Sequence, residues 1–295
     1  MTYRLSLDPD AFDAIDTHVH VQIDSAGRRA LPPAFLEAMD RYFGQSDPPL
    51  DVDETAARFR EQRVAAVVFT VDARTHLGHR PNSVDDLVAG AERNADVLIP
   101  FGTVDPLLGE AAAHEARRQA EELGVRGFKF HPTVQGFDPS DPAHIPLFAA
   151  IEELGLPVVV HTGQTGVGAG TPGGLGLRLG LSNPALLDDV AARHPALQIV
   201  MAHPSVPWQE EAISIATHKL NTWIDLSGWS PKYFSEPLRR AARSYLSHKM
   251  LYGSDFPALT PERWFADFAA LDFPDQAVAR ILKENATRLL GLQGR

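Results

Sequence analysis

Five ionisable side chains close apolar runs where polar groups are out of place. His18 and His20 end AIDTHVH, His161 ends PVVVH, His203 ends QIVMAH and Asp255 ends MLYGSD. Residues two apart in an extended strand point the same way. His18 and His20 therefore share a face with Asp16 below them, while Thr17 and Val19 take the other face. Histidine and aspartate in an apolar interior need a partner or a cation. Three imidazoles and a carboxylate suit one divalent ion, zinc first, with manganese or iron also served by that donor set. A lone histidine is more often a hydrogen-bonded core or loop residue. A set of them, each at a strand end, points to a metal site.

Those ends must be brought together by the elements behind them. Short apolar runs alternate with amphipathic stretches along the whole chain. The pattern predicts strands at Ala14–His20, Val64–Val71, Val97–Val104, Val125–His131, Pro157–His161, Gln198–His203, Thr222–Ser227 and Met250–Asp255. Helices are predicted at Asp53–Arg63, Ser83–Asn94, Leu108–Gly124, Ala143–Gly155, Pro184–His194, Pro207–Leu220, Glu236–His248 and Pro261–Leu271, with a last one at Gln276–Leu290. Gly124 and Gly155 sit where helices should end, and Pro184, Pro207 and Pro261 near helix starts. Eight strands alternating with eight helices is the count of an α/β fold of the (β/α)8 TIM-barrel type, a single domain over 1–295. An open doubly wound sheet is the second choice, weakened because no Gly-rich dinucleotide fingerprint follows the first strand.

Three connections are long: Val21–Leu50, Asp72–Asn82 and Thr162–Asn183. Each follows a strand, so each belongs to the C-terminal face of the barrel, where active sites form. The first contains PPAFLEAMDRYF, the pattern of a short inserted helix. The third contains GQTGVGAGTPGG, whose glycines can cradle an anion but are better explained by flexibility.

Composition narrows the partners. The chain has 295 residues, 44% hydrophobic and 22% charged, which supplies an ordinary core. Its formal net charge is −11, and an acidic surface repels phosphate backbones and anionic lipid heads. A small-molecule substrate is expected, with no nucleic acid and no membrane. The absence of cysteine removes disulfides, thiolate ligands and thiol nucleophiles. No basic segment followed by an apolar core opens the chain, and no apolar run is long enough to span a bilayer, so a cytoplasmic protein is the default expectation.

The sequence resembles the amidohydrolase superfamily, in the amidohydrolase-2 branch that contains aminocarboxymuconate-semialdehyde decarboxylase and related aromatic-acid decarboxylases. The likeness rests on IDTHVH at 15–20, VRGFKFHP at 125–132, LPVVVHTG at 156–163, HPALQIVMAH at 194–203, LYGSDFP at 251–257 and ILKENATRLLGL at 281–292. It implies that His18, His20, His161 and Asp255 hold the metal, with His203 beside it unligated, as an acid/base or to polarise substrate. Some branches carry two metals bridged by a carbamylated lysine on strand four, where this chain has Lys129. The preferred reading is one metal, with Lys129 paired to an acid such as Asp16. A TatD-type nuclease normally has glutamate at that strand-four position, which argues against that branch. Relatives commonly dimerise, so a homodimer is an implication of the resemblance.

A divalent ion lowers the pKa of bound water toward neutrality. Asp255 can accept or return a proton, and His203 can hold a substrate oxygen or shuttle a proton near pH 7. Two reactions use this apparatus. One is non-oxidative decarboxylation of a small aromatic or muconate-like carboxylic acid, toward which the resemblance leans. The other is hydrolysis of a lactone, amide or ester by metal-bound hydroxide. Substrate contacts are expected from His131, Lys129 and Trp229, although His131 can equally cap its strand and Trp229 can pack the rim with Lys232 and Tyr233. Among Arg28, Arg29, Arg41, Arg74, Arg80 and Arg178, one or two can grip a substrate carboxylate. His76 and His79 are expected to be solvated loop residues, and His114, His144, His194, His218 and His248 surface residues.

Overall fold

Runs rich in valine and isoleucine, apolar on both faces, form parallel strands sandwiched between a filled centre and a layer of helices. The computed structural model describes residues 2–44 and 48–293. Positions 45–47 of the first long connection, and residues 1, 294 and 295, lie outside the described residues. All eight expected strands are present: β1 Ala14–His20, β2 Val64–Phe69, β3 Leu98–Pro100, β4 Phe128–Phe130, β5 Val158–His161, β6 Ile199–Ala202, β7 Thr222–Asp225 and β8 Met250–Leu251. They pair in sequence order as β1-β2-β3 and β4-β5-β6-β7-β8, all parallel.

Backbone hydrogen bonds join these two groups at both seams. Between β3 and β4, Gly102 N donates to Gly127 O (2.8 Å) and Lys129 N to Gly102 O (2.8 Å). Between β8 and β1, Thr17 N donates to Tyr252 O (3.0 Å), Asp255 N to His18 O (2.9 Å) and His20 N to Phe256 O (2.9 Å). The barrel is closed, as a TIM barrel requires, and no strand edge in it is left open.

Several strands are shorter than the apolar runs that announced them. Pro100 has no N–H to continue the β3 ladder. After β6 and β8 the chain bends away at His203 (φ 70°) and Asp255 (φ 67°). The left-handed region ends a strand and is costly for a residue with a side chain. Both chemistry-bearing residues therefore sit on strained turns just past their strands. The expected helices appear with trimmed ends, the largest change being Glu236–Arg243 in place of a helix reaching His248. The stretch from Glu110 widens into a π-helical turn at Gln119–Leu123, as does the last helix at Arg280–Glu284. Among the described residues no helix is long and apolar enough to cross a membrane.

The inserted helix is real and runs Pro33–Phe43. It does not join the barrel core. A second, smaller hydrophobic cluster holds it: Leu31, Val71, Ala73 and Val134 are buried there, with Leu36, Met39 and Val167 packed against them. The cluster therefore draws on all three long connections and on the turn after β4.

One buried amide ties the strand tips together beneath that cluster. Gln135, with no exposed surface, accepts from His131 N (2.8 Å) and donates to Asp72 O (2.8 Å) and Val104 O (2.9 Å). It links the chain after β2, β3 and β4. Gln135→Met keeps the volume and strands three buried backbone groups. Each unsatisfied group costs about 1–3 kcal/mol. Urea unfolding should show stability reduced by roughly 2–4 kcal/mol, allowing for partial rearrangement; a loss under about 0.5 kcal/mol would contradict this role.

Candidate metal centre and its cavity

Strand ends deliver the polar groups to one place. Nitrogen or oxygen atoms of His18, His20 and Asp255 all lie within 4.8 Å of one another. Asp255 Oδ1 is 3.3 Å from His18 Nε2 and 3.2 Å from His20 Nε2. His161 stands outside this three-residue group, but its side chain faces the same cavity.

Burial favours the neutral form of His18, His161 and His203. Burial, followed by the charge of Lys129, drives His18 well below the ordinary range, and burial does the same to His161. His203 is pushed down to about 4, chiefly by burial and against the pull of Asp255. Burial thus favours the uncharged form of His203.

Neutral rings carry one proton each, and their contacts assign it. His18 Nδ1 is 2.6 Å from Asp225 Oδ2, so Nδ1–H donates there and Nε2 keeps its lone pair. His203 Nδ1 is 3.2 Å from the Ser227 carbonyl, so it donates to that oxygen. His203 Nε2 is then an acceptor for His161 Nδ1–H at 2.9 Å. That chain leaves the lone pair on His161 Nε2, a buried atom with no hydrogen-bond partner among the described residues. The donor set therefore fits a divalent cation: an acceptor nitrogen on His18, another on His161, and His20 with Asp255 beside them.

Lys129 departs from its expected pairing. Its amine is 2.8 Å from His18 Nε2 and 4.8 Å from the centre of the Phe69 ring, not with Asp16. Burial pulls it down to about 8, against the attraction of Asp255 and Asp225. It has no exposed surface and does not line the cavity described above the floor. The lysine lies under the floor because His18 covers it. A cation at this group has to displace that amine from His18 or meet it neutral, the form that burial favours. Asp16 instead accepts from His18 N and Ser254 N, each 3.0 Å, and burial pushes it up to about 7.

Sequence reasoning missed Asp225 and Ser227. Asp225 has no exposed surface, and burial pushes it up to about 7. Ser227 Oγ lies 3.1 Å from His18 Nδ1 and 2.9 Å from His203 Nδ1, bridging two imidazoles. The signal was present as an aspartate in TWIDLS, two residues before a serine, on one face of β7 and its extension. Gly228 is required beside them. At φ 72°, a Cβ there would lie 2.6 Å from His203 Nδ1 and 3.1 Å from Asp255 Oδ2.

Above this floor lies a cavity of about 250 Å³. His20, His131, His161, His203 and Asp255 form its polar end. Leu31, Leu36, Met39, Val71, Val134 and Trp229 supply apolar wall. His131 both lines the cavity and caps a turn, accepting from Val134 N (3.4 Å), and its ring stacks on His161 at 3.7 Å. Arg29 also lines the cavity, and its buried Nε has no hydrogen-bond partner among the described residues. The other arginines differ: Arg28 is held by Asp24 (2.8 Å), and Arg74 pairs with Asp72. His79 and His76 are tethers, with His79 Nε2 3.0 Å from Arg29 O and His76 Nδ1 2.9 Å from Val134 O. His144 and His194 are buried, against expectation, and His194 meets Glu152 at 3.1 Å. Tyr233 is exposed and does not line the cavity.

The fold and this floor are those of a metal-site barrel enzyme, and comparison with known proteins defines the class. The family model described as Amidohydrolase matches residues 15–292. The chain belongs to that family and is an enzyme of the amidohydrolase superfamily. No curated protein matches it. Among solved structures, an uncharacterized TIM-barrel protein from Bordetella bronchiseptica is 22% identical, with TM-score 0.74 over 96% of this chain and 99% of that one. A 5-carboxyvanillate decarboxylase from Novosphingobium aromaticivorans, complexed with manganese and 4-hydroxy-3-methoxy-5-nitrobenzoic acid, is 18% identical, with TM-score 0.68 over 99% of both chains. A probable 2-pyrone-4,6-dicarboxylic acid hydrolase from Acinetobacter baumannii with bound citric acid is 17% identical, with TM-score 0.60 over 95% of this chain and 100% of that one.

Asp225 is placed to fix the His18 tautomer. Such partners of a ligand histidine are typically worth about 10–100-fold in metal affinity. Asp225→Asn should fold normally and bind manganese weaker by about that factor in equilibrium dialysis. Unchanged affinity would mean that Asp225 does not orient His18.

Proposed function

We propose that this chain is a metal-dependent, non-oxidative decarboxylase of a small aromatic or muconate-like carboxylic acid. In this reading His18, His20, His161 and Asp255 hold one divalent ion, zinc, manganese or iron. The ion, when bound, supplies a Lewis acid for a substrate oxygen. The observation that carries the choice of substrate is Arg29, a guanidinium on the wall of a largely apolar cavity with a buried Nε that nothing else satisfies. Asp40 shares the cavity without forming an ion pair to it among the described residues. A planar acid with a carboxylate for Arg29 and an apolar body for Leu36, Met39 and Val134 fits this lining.

The chemistry balances with one proton. The bond between the carboxylate carbon and its neighbour breaks, the electron pair stays on the neighbouring carbon, carbon dioxide leaves, and that carbon takes a proton. Asp255, whose carboxyl burial pushes up but the hydrogen bond from His20 and the charge of Lys129 bring below its ordinary value, accepts a proton from the bound acid and returns it to carbon. Neutral His203, its ring oriented by Ser227, accepts from His161 Nδ1–H and so holds the His161 ring in place. His131 and Trp229 bound the body of the acid.

The same residues can direct water to a lactone, ester or amide. The likeness to the Acinetobacter baumannii hydrolase keeps that reaction as the alternative. Carbon dioxide release from hydroxybenzoates and muconate-like acids, measured beside lactone hydrolysis, decides between them. Hydrolysis without any carbon dioxide would overturn the decarboxylase reading.

Two variants test the assigned roles. Asp255→Asn should lose turnover by at least about 10³-fold, since it removes both a ligand and the proton carrier; near-normal turnover would remove it from the mechanism. Arg29→Met should raise KM for the acid by roughly 10–100-fold with kcat changed little, because a hydrogen bond to a charged group is worth about 1.5–3 kcal/mol. An unchanged KM would take the carboxylate away from Arg29.

A further inference from the structure

The long connections meet over the cavity. Phe43, the last residue of the inserted helix, and Gly166, in the glycine-rich connection after β5, both line it. A Cβ at Gly166 would lie 2.5 Å from Phe43 Cε2 and would overlap the far edge of that ring. The ring thus rests against bare backbone from another connection. Gly166 is not in the left-handed region, so its missing side chain serves close approach and not backbone conformation. Tyr42 sets its ring edge-on to Phe43 at 5.0 Å, and its Cδ1 would lie 3.5 Å from the same Cβ.

The frame around this contact is fixed. The inserted helix is anchored by Leu31, Leu36 and Met39 in the smaller hydrophobic cluster, and Val167, next to Gly166, packs into the same cluster. Both halves of the contact are therefore positioned by one set of apolar side chains. Those side chains also form the cavity wall. At about 250 Å³ the cavity falls below the ~300–1,000 Å³ range of sites for drug-sized ligands.

We infer that the contact between Phe43 and Gly166 is a size gate: it closes the outer end of the cavity and restricts the enzyme to acids with a single ring or an equivalent short chain. The inference deepens the decarboxylase reading and rests on it for the substrate class. Phe43 and Gly166 are specificity-determining residues here, and neither touches the reacting carbon.

Binding and chemistry are measured separately. Manganese-loaded wild type and Phe43→Ala are titrated calorimetrically with hydroxybenzoic and hydroxynaphthoic acids, and carbon dioxide release is followed in parallel. Wild type should bind the one-ring acid at least tenfold more tightly than the two-ring acid. Phe43→Ala should shrink that ratio by tenfold or more, while one-ring affinity changes less than threefold. Gly166→Ala gives an independent check, because its clash needs the ring. It should alter one-ring affinity at least threefold with Phe43 present and less than 1.5-fold in the Gly166→Ala, Phe43→Ala double variant. If Phe43→Ala fails to fold, Phe43→Leu shortens the same side chain and should shift the ratio in the same direction.

A wild type that binds both acids equally, or a ratio unmoved by Phe43 substitution, overturns the gate and leaves the decarboxylase reading standing. Binding with the expected ratio but without carbon dioxide release overturns the decarboxylase reading and keeps the gate. Wild type that binds neither acid overturns both.

Discussion

Everything at this site depends on four ionisable side chains with no exposed surface: Asp16, His18, Lys129 and Asp225. Burial alone would make each of them costly. His18, Lys129 and Asp225 are tolerable because they meet one another, while Asp16 meets backbone amides through one oxygen and leaves its Oδ2 without a hydrogen-bond partner among the described residues. His18 is the joint, giving its Nδ1 proton to Asp225 and offering Nε2 to Lys129. Burial raises the two carboxyls to about 7 and lowers the lysine to about 8. A network of this kind is sensitive at every member, since losing one partner leaves the next unpaired.

That constraint explains the division of labour above it. The floor is built on strand ends of a closed barrel, which hold atoms to the precision a metal site needs. The roof is built on long connections that have their own small core. The floor determines what chemistry is available, and the roof determines what can reach it. Family and fold therefore define the reaction apparatus more firmly than the substrate, which is the usual relation between a barrel and its function.

What the residues alone reveal depends on the physical property that each feature rests on. β1 matches its expected bounds because IDTHVH alternates cleanly and ends on polar side chains. The inserted helix in PPAFLEAMDRYF was legible from its apolar spacing. Lys129 was placed on the correct strand but given the wrong partner, because pleat alternation fixes the side of a strand and not the depth or neighbour across a barrel. The role of Asp225 needs a side chain on β7 to reach His18 on β1, past the intervening β8, a contact 207 residues apart in the chain. His144 and His194 looked like surface residues because helical position alone does not show which turn faces the barrel. Gly166 looked like flexibility; its close approach to Phe43 appears only once two distant connections are packed together.

The physical difference between the two candidate reactions is where a proton and a water molecule are allowed to be. Hydrolysis must admit water to an electrophilic carbon. Decarboxylation must keep water from competing while a proton reaches carbon, which favours a small cavity with apolar walls and a carboxylate held at one end. The described cavity has Leu31, Leu36, Met39, Val71, Val134 and Trp229 around its polar floor, and Arg29 as its unmatched cation. Neutral His203 is consistent with either reaction, and so are His18, His20, His161 and Asp255, the proposed metal ligands. Arg29 calls for a carboxylate, which an aromatic acid and a carboxylated lactone both offer, so it is the apolar wall that favours decarboxylation.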